Sequence, residues 1–190
     1  MDGVLRRLRS ATIAESGDAA RVRRLIVVAG TVAEWAGFTE AQWTERLASI
    51  GSSAAAAGVE SMRIVPSSDG GVVDVATRAG MRRDVRVDGC RVVADPRPDG
   101  RANLVEAINR LSGPITEESL QKEVAASGGD VDLVIVLGDP SVLPAALVWE
   151  LAYAELVYID ADWSTLSVEH IGRSLDEFAV RQRRFGGVIE

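Results

Sequence analysis

The sequence predicts a single α/β domain with a mostly parallel central sheet flanked by helices. Short apolar, β-branched runs at 24–30 (RLIVVAG), 62–67 (MRIVPS) and 131–138 (VDLVIVLG) read as strands buried on both faces. The segments between them recur at helical spacing, and strands that alternate with helices imply parallel pairing. With 190 residues, 47% of them hydrophobic, the chain suits one compact core.

Residues 1–20 are polar and Ala-rich without a sustained period, which predicts a loose arm or short helix ahead of a domain over 21–190. After the first strand, Thr39 with Gln42 forms a capping box, and Trp43, Leu47 and Ile50 recur on one face until Gly58 stops the helix. Residues 70–94 alternate apolar and polar around Gly80 and the Asp88-Gly89 pair, which predicts strands and a hairpin turn. DPRPDG (95–100) reads as a loop. The next helix, over 102–113, carries Leu104, Ile108 and Leu111 on one face. Another, over 114–127, is capped by Thr116, with Glu117 and Glu118 at the positive end of its dipole. The stretch LPAALVWELAYAELVYI (143–159) is apolar nearly all round; its first part reads as a covered helix and LVYI as a strand. A last helix from Ser167 to about Arg184 turns Ile171, Leu175 and Phe178 inward.

Several function classes are excluded early. A net charge of −7 disfavours nucleic acid, where phosphate neutralisation dominates affinity. One cysteine (Cys90) and one histidine (His170) leave no Cys/His metal cluster and no internal disulfide. The longest apolar stretches are broken by charge short of the roughly 18 residues a membrane span needs, and MDGVLRRLRSATIAESGD lacks a signal-peptide core, so cytoplasmic residence is expected. His170 has no evident Ser or Cys partner for nucleophilic catalysis. Arg101, at a predicted helix start, suits a phosphate or plain capping. The glycines of VVAGT and VLGDPS each follow a strand, without the further residues of a phosphate loop.

The C-terminal end reads RQRRFGGVIE. Arginines in a last turn followed by glycine are a helix stop that dipole physics accounts for. Upstream, however, DLVIVLG, LVWELAYAEL and IDADW precede this run at unbroken spacing. Together with Trp149, Ala152, Tyr153, Glu155, Leu156, Asp160, Trp163 and the 183–187 run, this order resembles the C-terminal third of the cis-prenyltransferases, the undecaprenyl diphosphate synthase family. GRANLVEAI (100–108) resembles their Gly-Gly-Arg-Ala helix start more weakly. The resemblance implies that fold, a magnesium-dependent condensation of isopentenyl and allylic diphosphates, and dimers in which a C-terminal Arg-x-Gly closes over the partner's diphosphate. Arg184, Phe185 and Gly186 keep that motif.

The departures from the family pattern are selective. Ala29-Gly30-Thr31 stands where the family has Asp-Gly-Asn, whose Asp holds magnesium and the allylic diphosphate. Val136, Val142 and Pro144 stand where two arginines and a serine grip isopentenyl diphosphate, a loss of about 3 to 6 kcal/mol for the arginines alone. Between Ser67 and Asp95 no long apolar helix is predicted to wall a product tunnel. Loss of the in-cis residues with retention of the in-trans motif resembles the non-catalytic, Nogo-B-receptor-like subunit of heteromeric cis-prenyltransferases.

That likeness implies a catalytic partner in a heterodimer or heterotetramer, with Mg2+ in the partner's site, homodimers when alone, and peripheral membrane contact through the complex. Pairing would use the helix expected at 145–156 and the last helix, with Trp149, Tyr153 and Glu155 at the interface. Glu155 matches a carboxylate that assists magnesium, and equally suits a structural ion pair; Trp149, Tyr153 and Trp163 equally suit packing, and Glu150 a structural role. The alternative is a homodimeric enzyme with relocated carboxylates, for which Asp69, Asp95, Asp99 and Asp139 lie near predicted strand ends. A third reading is a homodimer that keeps the fold as scaffold.

Overall fold

A computed structural model describes residues 21–71, 74–126, 131–140, 143–152 and 154–181, apart from the side chains of residues 125 and 126. Chain order is β1 (Arg24–Val28), α1 (Val32–Ala36), α2 (Glu40–Ala56), β2 (Ser61–Val65), α3 (Val75–Gly80), β3 (Arg83–Val87) and β4 (Cys90–Ala94). Then follow α4 (Gly100–Arg110), α5 (Glu117–Ala126), β5 (Leu133–Leu137), β6 (Glu155–Ile159) and α6 (Val168–Val180). The six strands form one sheet in the order β3-β4-β2-β1-β5-β6, parallel except for the β3–β4 hairpin.

The period of two along each strand divides the core in two. On one face, Leu25, Val27, Met62, Ile64, Cys90, Val92, Leu133 and Ile135 meet Trp43, Leu47 and Ile50 of α2 and Ile171 and Phe178 of α6. On the other, Ile26, Val28, Val65, Val134 and Val136 are covered by Ala146 and Leu147, with Leu151, Leu156 and Tyr158 partly buried beside them.

The expected capping box of α2 is present, with the Thr39 amide donating to Gln42 Oε1 at 2.8 Å and the Gln42 amide to Thr39 Oγ1 at 3.3 Å. The hairpin turns at Asp88-Gly89, both at positive φ (48° and 94°), as a two-residue connection of this twist requires. Thr116 Oγ1 accepts the Ser119 amide at 3.1 Å and so starts α5.

Three expectations fail. The stretch 75–80 is the helix α3: Asp74 caps it through the Thr77 amide (2.9 Å), and no residue of this helix is buried. The helix expected over 145–156 is also absent; among its described residues only Glu150–Ala152 form a single 3-10 turn, and Glu155 opens strand β6. The cause is tertiary, because the Ala145 carbonyl accepts the Gly100 amide at 2.8 Å and the Glu155 amide donates to Asp132 O at 3.1 Å. Ala146 and Leu147 of this stretch roof the second face of the sheet, while Leu143 and Val148 are exposed. Finally, the last helix ends at Val180, and Arg181 is extended (φ −71°, ψ 125°), short of the expected Arg184. No described helix is long and apolar enough to cross a membrane.

Candidate functional site

In an open parallel sheet, ligands bind outside the carboxyl ends of the strands where chain order reverses. Here β1 pairs with β2 on one side and β5 on the other, so the switch point lies beyond Val28 and Val136, which are register partners. Ala29-Gly30-Thr31 forms its floor. Ala29 is fully buried, with its amide on Val65 O (2.9 Å) and its carbonyl accepting Trp35 Nε1 (2.9 Å). Gly30 takes φ +67°, and a Cβ there would lie 2.9 Å from Trp163 Cβ. Thr31 caps α1 reciprocally with Glu34: the Thr31 amide donates to Glu34 Oε2 at 2.7 Å and the Glu34 amide to Thr31 Oγ1 at 3.1 Å.

A phosphate at such a turn would be held by the first free amides of the helix. In this chain they are occupied. The Val32 and Ala33 amides donate to the Ser68 and Asp69 carbonyls, both at 3.0 Å, while the Ser67 amide and hydroxyl donate to Gly30 O at 2.7 and 2.8 Å. Asp69 is tied to Arg78 at 2.6 Å, which fixes this plug to α3. The Glu34 carboxylate beside Thr31 adds negative charge where an anion would approach. Gly70 completes the plug at φ +66°, where a Cβ would stand 2.4 Å from Thr31 Oγ1. Gly70→Ala is therefore expected to lower unfolding stability by about 1–3 kcal/mol in urea denaturation; a loss near zero would show that the plug is not tightly seated.

The positions expected to have lost diphosphate contacts are apolar and inward. Val136 lies within β5, not after it, and is 4% exposed against the roof segment. Pro144 is buried in that roof, and Val142 lies outside the described residues. The methyl at Ala29 cannot ligate magnesium, and among the described residues no three His, Cys, Asp or Glu side chains are grouped to hold a metal.

The carboxylates of the alternative reading are not brought together. Asp69 holds Arg78, and Asp99 caps α4 through the Arg101 and Ala102 amides (2.9 and 3.1 Å), which takes the donors a phosphate near Arg101 would use. Asp139 is exposed. Asp95 is 3% exposed and gripped by Arg97 through Nε–Oδ1 (2.8 Å) and Nη2–Oδ2 (2.6 Å), with Arg82 at 3.5 Å. Burial pushes its carboxyl up, but the Arg97 hydrogen bonds and the charges of Arg97, Arg63 and Arg82 outweigh this and hold it below the usual carboxylate range. His170 does have a serine neighbour, Ser167 Oγ at 3.4 Å, but its Nδ1 accepts the Ser167 amide (3.2 Å) in a helix-capping arrangement.

Of the residues expected at the interface, Trp149 is half-buried and lines a small cleft with Arg63, Asn103, Leu104 and Glu150. Glu150 pairs with Arg63, in agreement with a structural role. Glu155 stands at the start of an edge strand, 3.4 Å from Arg181 Nη1. Tyr153, Arg184, Phe185 and Gly186 lie outside the described residues. Sequence reasoning missed the Ser67–Gly70 plug, the closure of Trp163 over Gly30, and Arg181. The two glycines of Asp69-Gly70-Gly71 were the one signal of an unusual backbone there.

The comparisons with known proteins agree with the fold. The sequence model of the family described as "Putative undecaprenyl diphosphate synthase" matches residues 47–186. An isoprenyl transferase of Fusobacterium nucleatum is 35% identical over 92 residues, 46% of this chain and 40% of that protein. A ditrans,polycis-undecaprenyl-diphosphate synthase, (2E,6E)-farnesyl-diphosphate specific, of Yersinia pseudotuberculosis is 31% identical over 128 residues, 67% of this chain and 47% of that protein. The chain thus spans less than half the length of these curated relatives. A crystal structure of a probable undecaprenyl diphosphate synthase from Campylobacter jejuni superposes with a TM-score of 0.62 at 16% identity, over 87% of this chain and 99% of that one.

Proposed function

Because this chain belongs to the undecaprenyl diphosphate synthase family of cis-prenyltransferases, we propose that it is a non-catalytic, activating subunit that pairs with a catalytic family member. Polyprenyl diphosphate synthesis takes place in that partner, whose site holds the magnesium. This chain lends Arg184, Phe185 and Gly186 to the partner's diphosphate. The observation that carries the reading is the plugged switch point. Ser68 and Asp69 carbonyls sit on the α1 amides, a buried methyl stands at Ala29, and buried Val136 adjoins it, so among the described residues the Val32 and Ala33 amides are already taken and the strand ends offer an anion apolar side chains. Arg63 on the second face of β2, paired with Glu150, is further support, since a buried ion pair is a poor lining for a growing hydrocarbon chain.

Co-expression with a catalytic cis-prenyltransferase of the same organism should yield a stable complex. Its chain elongation should fall by roughly ten- to a hundredfold on Arg184→Ala, the equivalent of one charge-assisted phosphate contact. The purified chain alone, given magnesium, isopentenyl diphosphate and allylic diphosphates, should give no product. Turnover by the chain alone, or an Arg184→Ala complex as active as the wild type, would overturn the reading.

A further inference from the structure

We infer that Asp88-Gly89 is a site of spontaneous covalent modification, where the backbone rearranges through a cyclic imide to a β-linked aspartate, and that the Ser52 hydroxyl restrains the reaction. The inference does not depend on the function proposed above. An aspartate before a glycine closes this ring most readily, because glycine has no side chain to shield its amide nitrogen. The sequence holds four such pairs, beginning at Asp2, Asp69, Asp88 and Asp99. Asp2-Gly3 lies outside the described residues, and the structure treats the other three differently.

Ring closure needs a carboxyl carbon that can turn onto the next nitrogen and a peptide plane that can turn to meet it. At Asp99-Gly100 both are held. The carboxylate accepts the Arg101 and Ala102 amides (2.9 and 3.1 Å), the Asp99 carbonyl accepts the Asn103 amide (3.1 Å), and the Gly100 amide donates to Ala145 O (2.8 Å). At Asp69-Gly70 the carboxylate is tied to Arg78 at 2.6 Å, the Asp69 carbonyl accepts the Ala33 amide at 3.0 Å, and Gly70 is seated against Thr31. Asp88-Gly89 is the exception. Both residues are exposed at the hairpin tip, a Cβ on Gly89 would meet nothing within 4 Å, and neither the Asp88 carbonyl nor the Gly89 amide is hydrogen-bonded among the described residues.

The chemistry needs only water. The Gly89 nitrogen gives up its proton and bonds to Asp88 Cγ, one carboxyl oxygen leaves as water, and a five-membered imide closes. Water then adds to either imide carbonyl. Addition at Cγ restores the original chain. Addition at the backbone carbonyl carbon breaks its bond to Gly89 N, which frees an α-carboxylate and routes the chain through Cγ. That route inserts one extra carbon into a two-residue turn closed by the Val87–Cys90 pair, and Cys90 is fully buried. The remaining restraint comes from α2, where Ser52 Oγ donates to Asp88 Oδ2 at 2.6 Å. The carboxyl group must rotate and shed an oxygen to react, and this bond opposes the rotation.

The experiment ages the full chain at neutral pH and physiological temperature, folded and in urea, as wild type, Ser52→Ala and Ser52→Thr. Trypsin then places the three pairs on separate peptides (64–78, 87–91 and, with Arg97-Pro98 uncut, 92–101), on which β-linked aspartate is counted by chromatography and mass spectrometry. In the folded wild type it should accumulate several times faster at Asp88 than at Asp69 or Asp99. Accumulation at either of those that equals the rate at Asp88, or a difference of the same size in urea, overturns the assignment. Ser52→Ala should raise the rate at Asp88 roughly three- to tenfold, the worth of one hydrogen bond, and Ser52→Thr, which keeps the hydroxyl, should stay near wild type. An unchanged ratio of the Asp88 rate to the Asp99 rate in Ser52→Ala overturns the restraint; a general loss of folding would raise both rates, so the ratio separates the two causes.

Discussion

Asp95→Ala should lower the unfolding free energy by about 3–5 kcal/mol at neutral pH, the cost of removing one member of a buried charge group and leaving its partners. Three cations converge on this carboxylate: Arg97 binds it bidentately, Arg82 stands at 3.5 Å, and Arg63 adds its charge from β2. The Asp95 amide also donates to Ile64 O at 2.8 Å, so the group joins the end of β4 to β2 and to the loop entering α4. Asp95→Asn keeps the shape without the charge and is expected to fall between the two. The same carboxylate sets an acid limit. Its pKa is depressed in the folded chain relative to about 3.9 when unfolded, so the folded state binds the proton less readily. Its contribution is fully present above pH ~4 and is lost as the pH falls through the folded value. Urea unfolding between pH 3 and 7, followed by tryptophan fluorescence, should show a steeper acid-side loss in wild type than in Asp95→Asn; parallel curves would refute the assignment.

Trp163→Ala is expected to cost about 3–5 kcal/mol, as a large buried aromatic does when truncated. Trp163 is 1% exposed, with ring centroids 6.0 Å from Trp35 and 5.7 Å from both Trp43 and Phe38. Arg46 lies over the same ring at 5.0 Å and donates to the Ser164 and Leu166 carbonyls at 2.9 and 3.2 Å, closing the single 3-10 turn of Trp163–Thr165 onto α2. No hydrogen-bond partner for the Trp163 indole N–H is found among the described residues. Trp163→Phe removes that buried donor along with part of the ring and should cost less than half as much as Trp163→Ala. Equal losses for the two substitutions in urea unfolding would mean that the indole N–H is satisfied after all.

The parts of the fold that could be read from sequence are those fixed by local chemistry. The runs at 24–30, 62–67 and 131–138 are strands because nothing but a doubly covered sheet suits so many β-branched residues in a row. Thr39 with Gln42 and Asp88-Gly89 behaved as their side chains and backbone preferences dictate. Residues 75–80 read as strand because they continue the apolar-polar alternation of Val73-Asp74-Val75, which fits a strand as readily as an exposed turn of helix capped by Asp74. The roof at 143–152 could not be read because a uniformly apolar stretch has no period, and its shape is set by Gly100, over forty residues earlier; a Cβ there would lie 2.7 Å from Ala146 O.

At the candidate site, the apolar character of Ala29, Val136 and Pro144 was legible, since a methyl, an isopropyl group and a proline ring offer neither a charge nor a hydrogen-bond donor. The plug was not, because its acceptors are backbone carbonyls of Ser68 and Asp69, which every residue carries. Arg181 was hidden for a related reason: one of the groups it grips is the Leu156 carbonyl.

The strand order has a consequence for how the chain reaches this state. β1 lies in the middle of the sheet, yet it finds β2 about 37 residues on and β5 only about 108 residues on, from the Arg24↔Ser61 and Leu25↔Leu133 registers. During synthesis the β1–β2–β4 half with α2 can collapse while β5 has not yet emerged, which leaves one side of β1 without a neighbour. Closure by β5, β6 and α6 is therefore expected as the late step of folding, and until it occurs the bare edge of Leu25–Val28 is the place where two nascent chains would stick together.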